Sequence, residues 1–371
     1  MAELDALVVG GGPAGLAAAI AAKAQGLSRV AVIDGGQPPI DKACGEGLMP
    51  DGLAALGRLG VTLDRRQSAP ISGIRYLEGG RVADAAFPRG HGLGVRRLHL
   101  HQGLVRRAEE VGVELHWHTK ALGRTERGVN TESGEITARF VVAADGLRSP
   151  LRQQAGLSGR AEPRRKQRFG VRCHFRVAPW TDRVEVHWVD GCEAYVTPVA
   201  DDELGVALLW SGGPTRFEEL LARFPALAAR LEGVERSSKP RGAGPLLQRV
   251  RRVTEGPLAL IGDAAGYVDA ITGEGLSVAF HQALALGEAL AAGDLKRYAR
   301  AHRKIVRLPE RMTRLVLAIE RRPWLRRRAL AALAAEPELF ARLLGIHTRA
   351  IPARQLGLPG ALRLVWRLAG A

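Results

Sequence analysis

Near its start the chain gathers its apolar positions into short unbroken runs that stop at glycines. "DALVVGGG" (Asp5–Gly12) is one, and a continuous run of this length reads as a strand buried on both faces. The Ala-rich stretch from Ala14 to Gln25 follows and closes at Gly26; this predicts a buried helix with glycine just past its end. "RVAVID" (Arg29–Asp34) is a second buried strand. Strand, glycine turn, helix and strand form the first half of a Rossmann unit.

Beyond a Gly-rich segment (Cys44–Gly60), a helix is expected over Leu98–Val111, ended by Gly112, then short strands around Glu114–His116 and Arg139–Ala143. Between residues 165 and 210 the pattern changes. "RFGVRCHFRV", "DRVEVHWV", "EAYVTPV" and "LGVALLW" are short runs with period-two stretches, separated by Pro, Asp and Gly turns. They predict an antiparallel sheet. It holds Phe169, Phe175, Trp180, Trp188, Tyr195 and Trp210 in a chain with 5% aromatics. Such aromatics either wall a substrate site or simply stabilise strands. "GPLALIGDAAG" (Gly256–Gly266) returns to a buried strand and glycine turn, before a helix from Glu274 to Leu290. From Asp294 onward the chain reads as mostly helical.

Composition narrows the class. With 46% hydrophobic residues and 45 glycines in 371 positions, the chain is an ordered α/β protein. No run reaches the ~18 apolar residues of a membrane span, and "MAELD" carries no basic region ahead of an apolar one. Cys44, Cys173 and Cys192 are too few for a disulfide framework or a Cys-based zinc site. A cytoplasmic protein is expected. The net charge of +16 is uneven: Lys296–Ala371 holds two Lys and sixteen Arg against four Glu. This Arg-rich end mixes apolar and basic positions at helical spacing. It can pack its apolar side on the protein and leave Arg in water, the preferred reading, or lie on an anionic membrane. No nucleic-acid recognition motif accompanies it.

The glycine turns carry the chemistry. In Gly10-x-Gly12-x-x-Gly15 the first glycine allows the tight turn, the second lets backbone approach a pyrophosphate, and the third lets helix and strand pack. The helix start then offers N–H groups to phosphate. Asp34 lies 19 residues beyond Gly15, placed to accept from a ribose hydroxyl. Gly262-Asp263 repeats the strand-to-turn arrangement ahead of Gly273-Glu274-Gly275, and can fix a second polyol. "VVAADGLRSPLR" adds Asp145-Gly146, Ser149 and Arg152. Two such sites suit a long ligand with phosphate and sugar in the middle and a ring at each end, the shape of FAD.

Together, GxGxxG, "ADGxxSxxR" and "GDAAG…TGEG" resemble the flavin monooxygenases of the p-hydroxybenzoate hydroxylase type and their relatives, the geranylgeranyl reductases, over roughly residues 5–290. The resemblance implies an FAD-binding Rossmann-like α/β domain (1–70, 96–160 and 251–292) interleaved with an antiparallel-sheet substrate domain (71–95 and 161–250). A helical region (293–371) follows. It implies that Gly10, Gly12, Pro13, Ala14, Gly15, Asp34 and Gly35 hold the ADP half. Asp263 with Gly262 would hold the ribityl chain, and Gly273, Glu274 and Gly275 would face the isoalloxazine. Arg97, opening an "R-x-x-L-x-x-x-L" helix with Leu100 and Leu104, contacts FAD in this scheme, with Gln102 nearby; Asp145 and Gly146 join the set.

"DKACGEGLMP" (Asp41–Pro50) is similar to a Lys-x-Cys-Gly stretch of geranylgeranyl reductases and to "GESLLP" of phenol halogenases. Lys42 would meet a phosphate; Cys44 would lie near the flavin or be a small buried thiol. Gly35-Gly36 stands where a basic residue is usual after the acid, and Ser277 where Asn is usual. The implied activity is an FAD-dependent monooxygenase acting on a lipophilic phenolic or polyketide-derived substrate through a C4a-hydroperoxide. Saturation of isoprenoid double bonds is the alternative. Halogenation comes third, because Tyr195-Val-Thr-Pro198 replaces a Trp-x-Trp-x-Ile-Pro segment. No second GxGxxG follows a strand, so NADPH or NADH would bind transiently, or a partner reductase would deliver electrons. His99, His101, His116 and His118 fall on two elements without carboxylates, and no metal is expected.

Overall fold

The structure, a computed structural model, describes residues 3–213 and 215–356. In chain order its main elements begin with β1 (Leu4–Val9), α1 (Pro13–Ala24), β2 (Val30–Ile33), α2 (Pro50–Arg58), β3 (Gly73–Glu78), β4 (Arg81–Ala86) and α3 (Arg97–Glu110). Strands β5 (Glu114–His116), β6 (Gly134–Ala143), β7 (Arg168–Arg176), β8 (Arg183–Val189), β9 (Cys192–Ala200), β10 (Glu203–Ser211) and β11 (Leu258–Leu260) follow. The chain then turns helical through α4 (Gly275–Ala291), α5 (Leu295–Glu320), α6 (Pro323–Ala335) and α7 (Pro337–His347).

The first sheet runs β11-β6-β1-β2-β5 with all these neighbours parallel. Strands β2 and β11 are buried along their whole length and β1 at all but Asp5, as the unbroken apolar runs require. Helix α1 is buried nearly all round, so its apolar pattern is continuous rather than one-sided. Its alanines let α4 come close: a Cβ added at Gly287 would lie 2.7 Å from the Ala21 carbonyl oxygen.

The second sheet is ordered β7-β10-β9-β8-β3-β4, with Arg241–Ala243 at its outer edge beside β7. It departs from the purely antiparallel expectation at one place, where β8 pairs parallel with β3. The cause is topological: β3 and β4 come from an early excursion of the chain, before the first sheet is complete. One face of this sheet packs under the short helices Phe217–Leu221 and Pro225–Leu231, burying Phe175 and Leu208. The other face carries Ile74, Val186, Trp188 and Tyr195, and meets Leu317, Leu330, Phe340 and Leu344 of α5–α7.

The Arg-rich end therefore lays an apolar side on the second sheet. Arg326 breaks its basic pattern: it is buried and bonded to Glu78 (2.6 Å) and Asp190 (2.7 Å), pinning α6 to the sheet. Residues 357–371, part of the same Arg-rich stretch, lie outside the described residues. No helix among the described residues is long and apolar enough to cross a membrane.

Candidate functional site

The two glycine turns meet. Gly10 holds a φ of +111°, and a Cβ there would lie 2.4 Å from the Ala144 carbonyl oxygen. At Gly15 a Cβ would fall 1.9 Å from the Gly10 carbonyl oxygen, so both positions admit only glycine. Gly262, at φ +61°, is seated on the start of α1, where its Cβ would be 2.7 Å from that of Ala14. Its N–H donates to Gln282 Oε1 of α4 at 2.8 Å. A turn more than 240 residues away in sequence thus closes the same cradle.

Asp34 sits at the end of β2, where its carboxylate accepts from the N–H groups of Gly11 (2.7 Å) and Gly36 (2.8 Å). Gly35 packs over Lys120 and stays exposed. The middle glycine of the turn has its own reason: a Cβ at Gly11 would meet the Trp117 ring at 2.4 Å. From α3, buried His101 reaches the Gly11 carbonyl through Nε2 at 2.8 Å. Burial holds this imidazole below its ordinary pKa, so it is neutral and donates that bond. The sequence carries no signal for this role; His101 was one of four histidines with nothing to distinguish them.

From this cradle runs a cavity of about 960 Å³. Gly12, Pro13, Ala14, Lys42, Arg97, Asp145, Gly146, Gly262, Asp263, Gly273 and Gly275 line one part of it. Gly12 and Gly146 leave open space, their nearest neighbours being the Arg97 guanidinium (3.6 Å from an added Cβ) and the Lys42 ammonium (3.7 Å). Asp263 presents a carboxylate with no hydrogen-bond partner among the described residues. Burial raises its pKa, while Arg97, Lys42 and Arg152 pull it back. The Asp145 Oδ1 and Arg97 Nε atoms are likewise buried without partners. Backbone space, two cations and unmet acceptors fit an extended ligand bearing phosphates and a polyol.

Other expected residues fall elsewhere. Glu274 does not line the cavity; its carboxylate turns toward His347 Nδ1 at 3.6 Å. Burial, then the charge of Asp51, pushes its pKa up to about 8. Arg152 is a structural tie, donating to the carbonyls of Leu147 (2.7 Å) and Ala264 (3.2 Å), and Ser149 caps the short helix before it. Gln102 of α3 stays exposed. Among the described residues no group of His, Cys, Asp and Glu could hold a metal ion.

Cys44 lines the cavity on the loop before α2. Its Sγ accepts from the Glu46 N–H at 3.4 Å, and burial raises its thiol pKa. This loop is anchored by charge. Glu46, at φ +61°, is buried; it accepts from the Arg97 N–H at 2.8 Å and faces His174 Nε2 at 2.5 Å. Asp41 pairs with Arg172 (2.5 Å) and Arg241 (2.6 Å). Glu46 and His174 lie 128 positions apart, a pairing that no local pattern announces.

The remainder of the cavity is mostly apolar. Phe169, Trp188, Tyr195 and Trp210 wall it, with Tyr76 stacked on Trp188 at 4.6 Å. Phe175 and Trp180 pack on the far face of the sheet instead. Val316, Ile319, Leu333, Phe340 and Leu344 of α5–α7 complete the chamber. A buried strut steadies the wall: Arg168 pairs with Glu193 (2.7 Å), Asp269 (2.8 Å) and Glu320 (3.6 Å). Burial pushes Glu193 up to about 8, with the neighbouring carboxylates adding to the rise against Arg168.

A family profile described as "FAD binding domain" matches residues 3–203. A menaquinone reductase of Mycobacterium tuberculosis is 29% identical over 322 residues, covering 79% of this chain and 78% of its own. A digeranylgeranylglycerophospholipid reductase of Methanopyrus kandleri is 29% identical over 304 residues, covering 75% and 77%. A ubiquinone hydroxylase of Rhodospirillum rubrum is 29% identical over 319 residues, covering 78% and 73%. Among solved structures, a flavoprotein/dehydrogenase of Cytophaga hutchinsonii superposes with a TM-score of 0.82 over 100% of both chains at 17% identity, a likeness of fold.

Proposed function

The chain belongs to the FAD binding domain family and is an FAD-dependent oxidoreductase; from that premise we propose that it saturates isoprenoid double bonds of a polyprenyl lipid. The observation that carries the reading is the cavity, which joins a polar, glycine-lined part to a long apolar chamber with the Cys44 thiol in its wall. The substrates named for all three relatives, menaquinone, ubiquinone and digeranylgeranylglycerophospholipid, bear isoprenoid chains, and an isoprenoid chain suits an apolar, aromatic-walled chamber.

Gly10, Gly12, Pro13, Ala14 and Gly15 would form the pyrophosphate turn, with Asp34 at its ribose side. Lys42, Arg97, Asp145 and Gly146 would flank the phosphates. Gly262 and Asp263 would receive the ribityl chain, and Gly273 and Gly275 would leave room for the ring. FAD, when bound there, supplies the hydride that saturation consumes. The chain's own part is to supply the proton and the dry walls. Cys44, whose thiol burial keeps protonated, holds a proton at Sγ inside the cavity. Tyr76, Trp188, Phe340 and Leu344 exclude water and align the lipid chain.

A second reading, hydroxylation of a polyprenyl quinone, draws on the Rhodospirillum relative. Its phenolic-substrate form is the first implication of the sequence resemblance; the reductase relatives and the Cys44 position favour saturation. The test is to photoreduce the FAD-loaded protein without oxygen and add menaquinone, or separately a geranylgeranyl lipid. A product still heavier by two hydrogens after any quinol has been reoxidised in air supports saturation; a gain that air reverses is reduction of the quinone ring. A product heavier by one oxygen, formed only in air, supports hydroxylation. Intact lipid in both atmospheres overturns both.

A further inference from the structure

A second cavity, of about 750 Å³, shares with the first only Tyr267. Segments 265–269 and Gln248–Val253 and one side of α5 line it. Arg249, Arg251, Arg252, Arg303, Arg307, Arg314 and Arg321 all face it. Arg252 and Arg314 have carboxylate partners in Glu255 and Glu310. The other five have none among the described residues; the remaining acids of the lining are Glu162 and Asp269, the latter paired with Arg168. Five uncompensated guanidiniums around one cleft repel one another, and each offers a planar fork of donors matched to phosphate oxygens.

An independent feature lies deeper in the cleft. His302 of α5 lines it and is 8% exposed, and its Nε2 has no hydrogen-bond partner among the described residues. A buried polar atom left unmet at the base of a cationic cleft is the mark of a missing polar ligand.

We propose that this cleft binds the phosphate groups of a ligand carrying at least two of them. Its cationic rim holds the phosphates, and His302 meets the ligand at the base. The cavity volume suits a small molecule. A free nucleotide and a phosphorylated lipid headgroup share this chemistry. The proposal stands apart from the reductase reading, since neither the flavin nor the apolar chamber enters it.

The test is calorimetric titration of the full-length protein with inorganic pyrophosphate, at low salt and again near physiological salt. Saturable binding that weakens with salt is expected. The double variants R303S/R307S and R249S/R251S should each weaken it by at least about tenfold. Arg66→Ser, an exposed arginine outside the cleft, should leave it unchanged. Circular dichroism melts check that each variant is folded. Displacement of pyrophosphate by NADPH assigns a nucleotide source. Displacement by cardiolipin vesicles, whose headgroup carries two phosphates, but not by phosphatidylcholine vesicles, assigns a headgroup. Absence of binding up to about 1 mM, or binding equal in all variants, overturns the proposal.

Discussion

Cys44, partly buried, and Glu274, buried, are both acids whose surroundings favour the protonated form, with opposite consequences. The Cys44 thiol faces the cavity, so Cys44→Ala should lower the anaerobic saturation rate by about 100-fold while the flavin absorbance is retained. An unchanged rate would remove the thiol from the proton path. Glu274 faces away, between Asp51, His347 and Arg349. Its pKa stands at about 8 against an ordinary 4.5, so the native state binds its proton more tightly than the unfolded chain does. The stability it contributes is full below pH 4.5 and is lost as pH rises through about 8. Thermal melts from pH 5 to 8 should show the wild type losing stability relative to Glu274→Gln; a gain would contradict the sign. His347, held below its ordinary value by burial, acts at the acid end, losing stability as pH falls. At this scale the glycines and Asp263 were legible, because a close backbone approach leaves glycine as its trace. Glu46, His101 and His174 were not, since their partners are backbone groups or residues far away in sequence.

Elements were legible where the apolar pattern was unambiguous. The parallel strands, α1, α3, α4 and the four strands between residues 168 and 211 fall where their runs predict. Helix α2 was hidden inside a glycine-rich stretch; Pro50 at its first turn starts it, and burial of Ala55 and Leu56 stabilises it. The pairing of β3 with β8 was equally hidden, because period-two patterning fixes which face is buried but not which strand lies alongside. The α1–α4 contact has a sharper signature. Gly287→Leu adds a good helix former, yet its side chain must displace the Ala21 carbonyl from contact. It should cost about 1–3 kcal/mol or more, measured by urea unfolding; neutrality would mean that α4 can shift at no cost.

For the molecule as a whole, the cradle is built from segments far apart in the chain. β11 and α4 flank β6 and α1, although more than a hundred residues of second sheet separate them in sequence. A fragment ending at residue 250 lacks the turn of Gly262 and Asp263 and the helix that covers α1. It should emerge without bound FAD and without a cooperative thermal transition, by absorbance and calorimetry; a yellow, melting fragment would show that the first half folds alone.

The same topology sets an order of events on the ribosome. A nascent chain presents Gly10–Gly15 some 250 residues before Gly262 can reach that turn. At roughly 5–20 residues per second, that is a delay of about 13–50 s. Through that interval the apolar face of α1 has no α4 to cover it, so the growing chain depends on chaperones or on its own second sheet for shelter, and cofactor loading waits on α4.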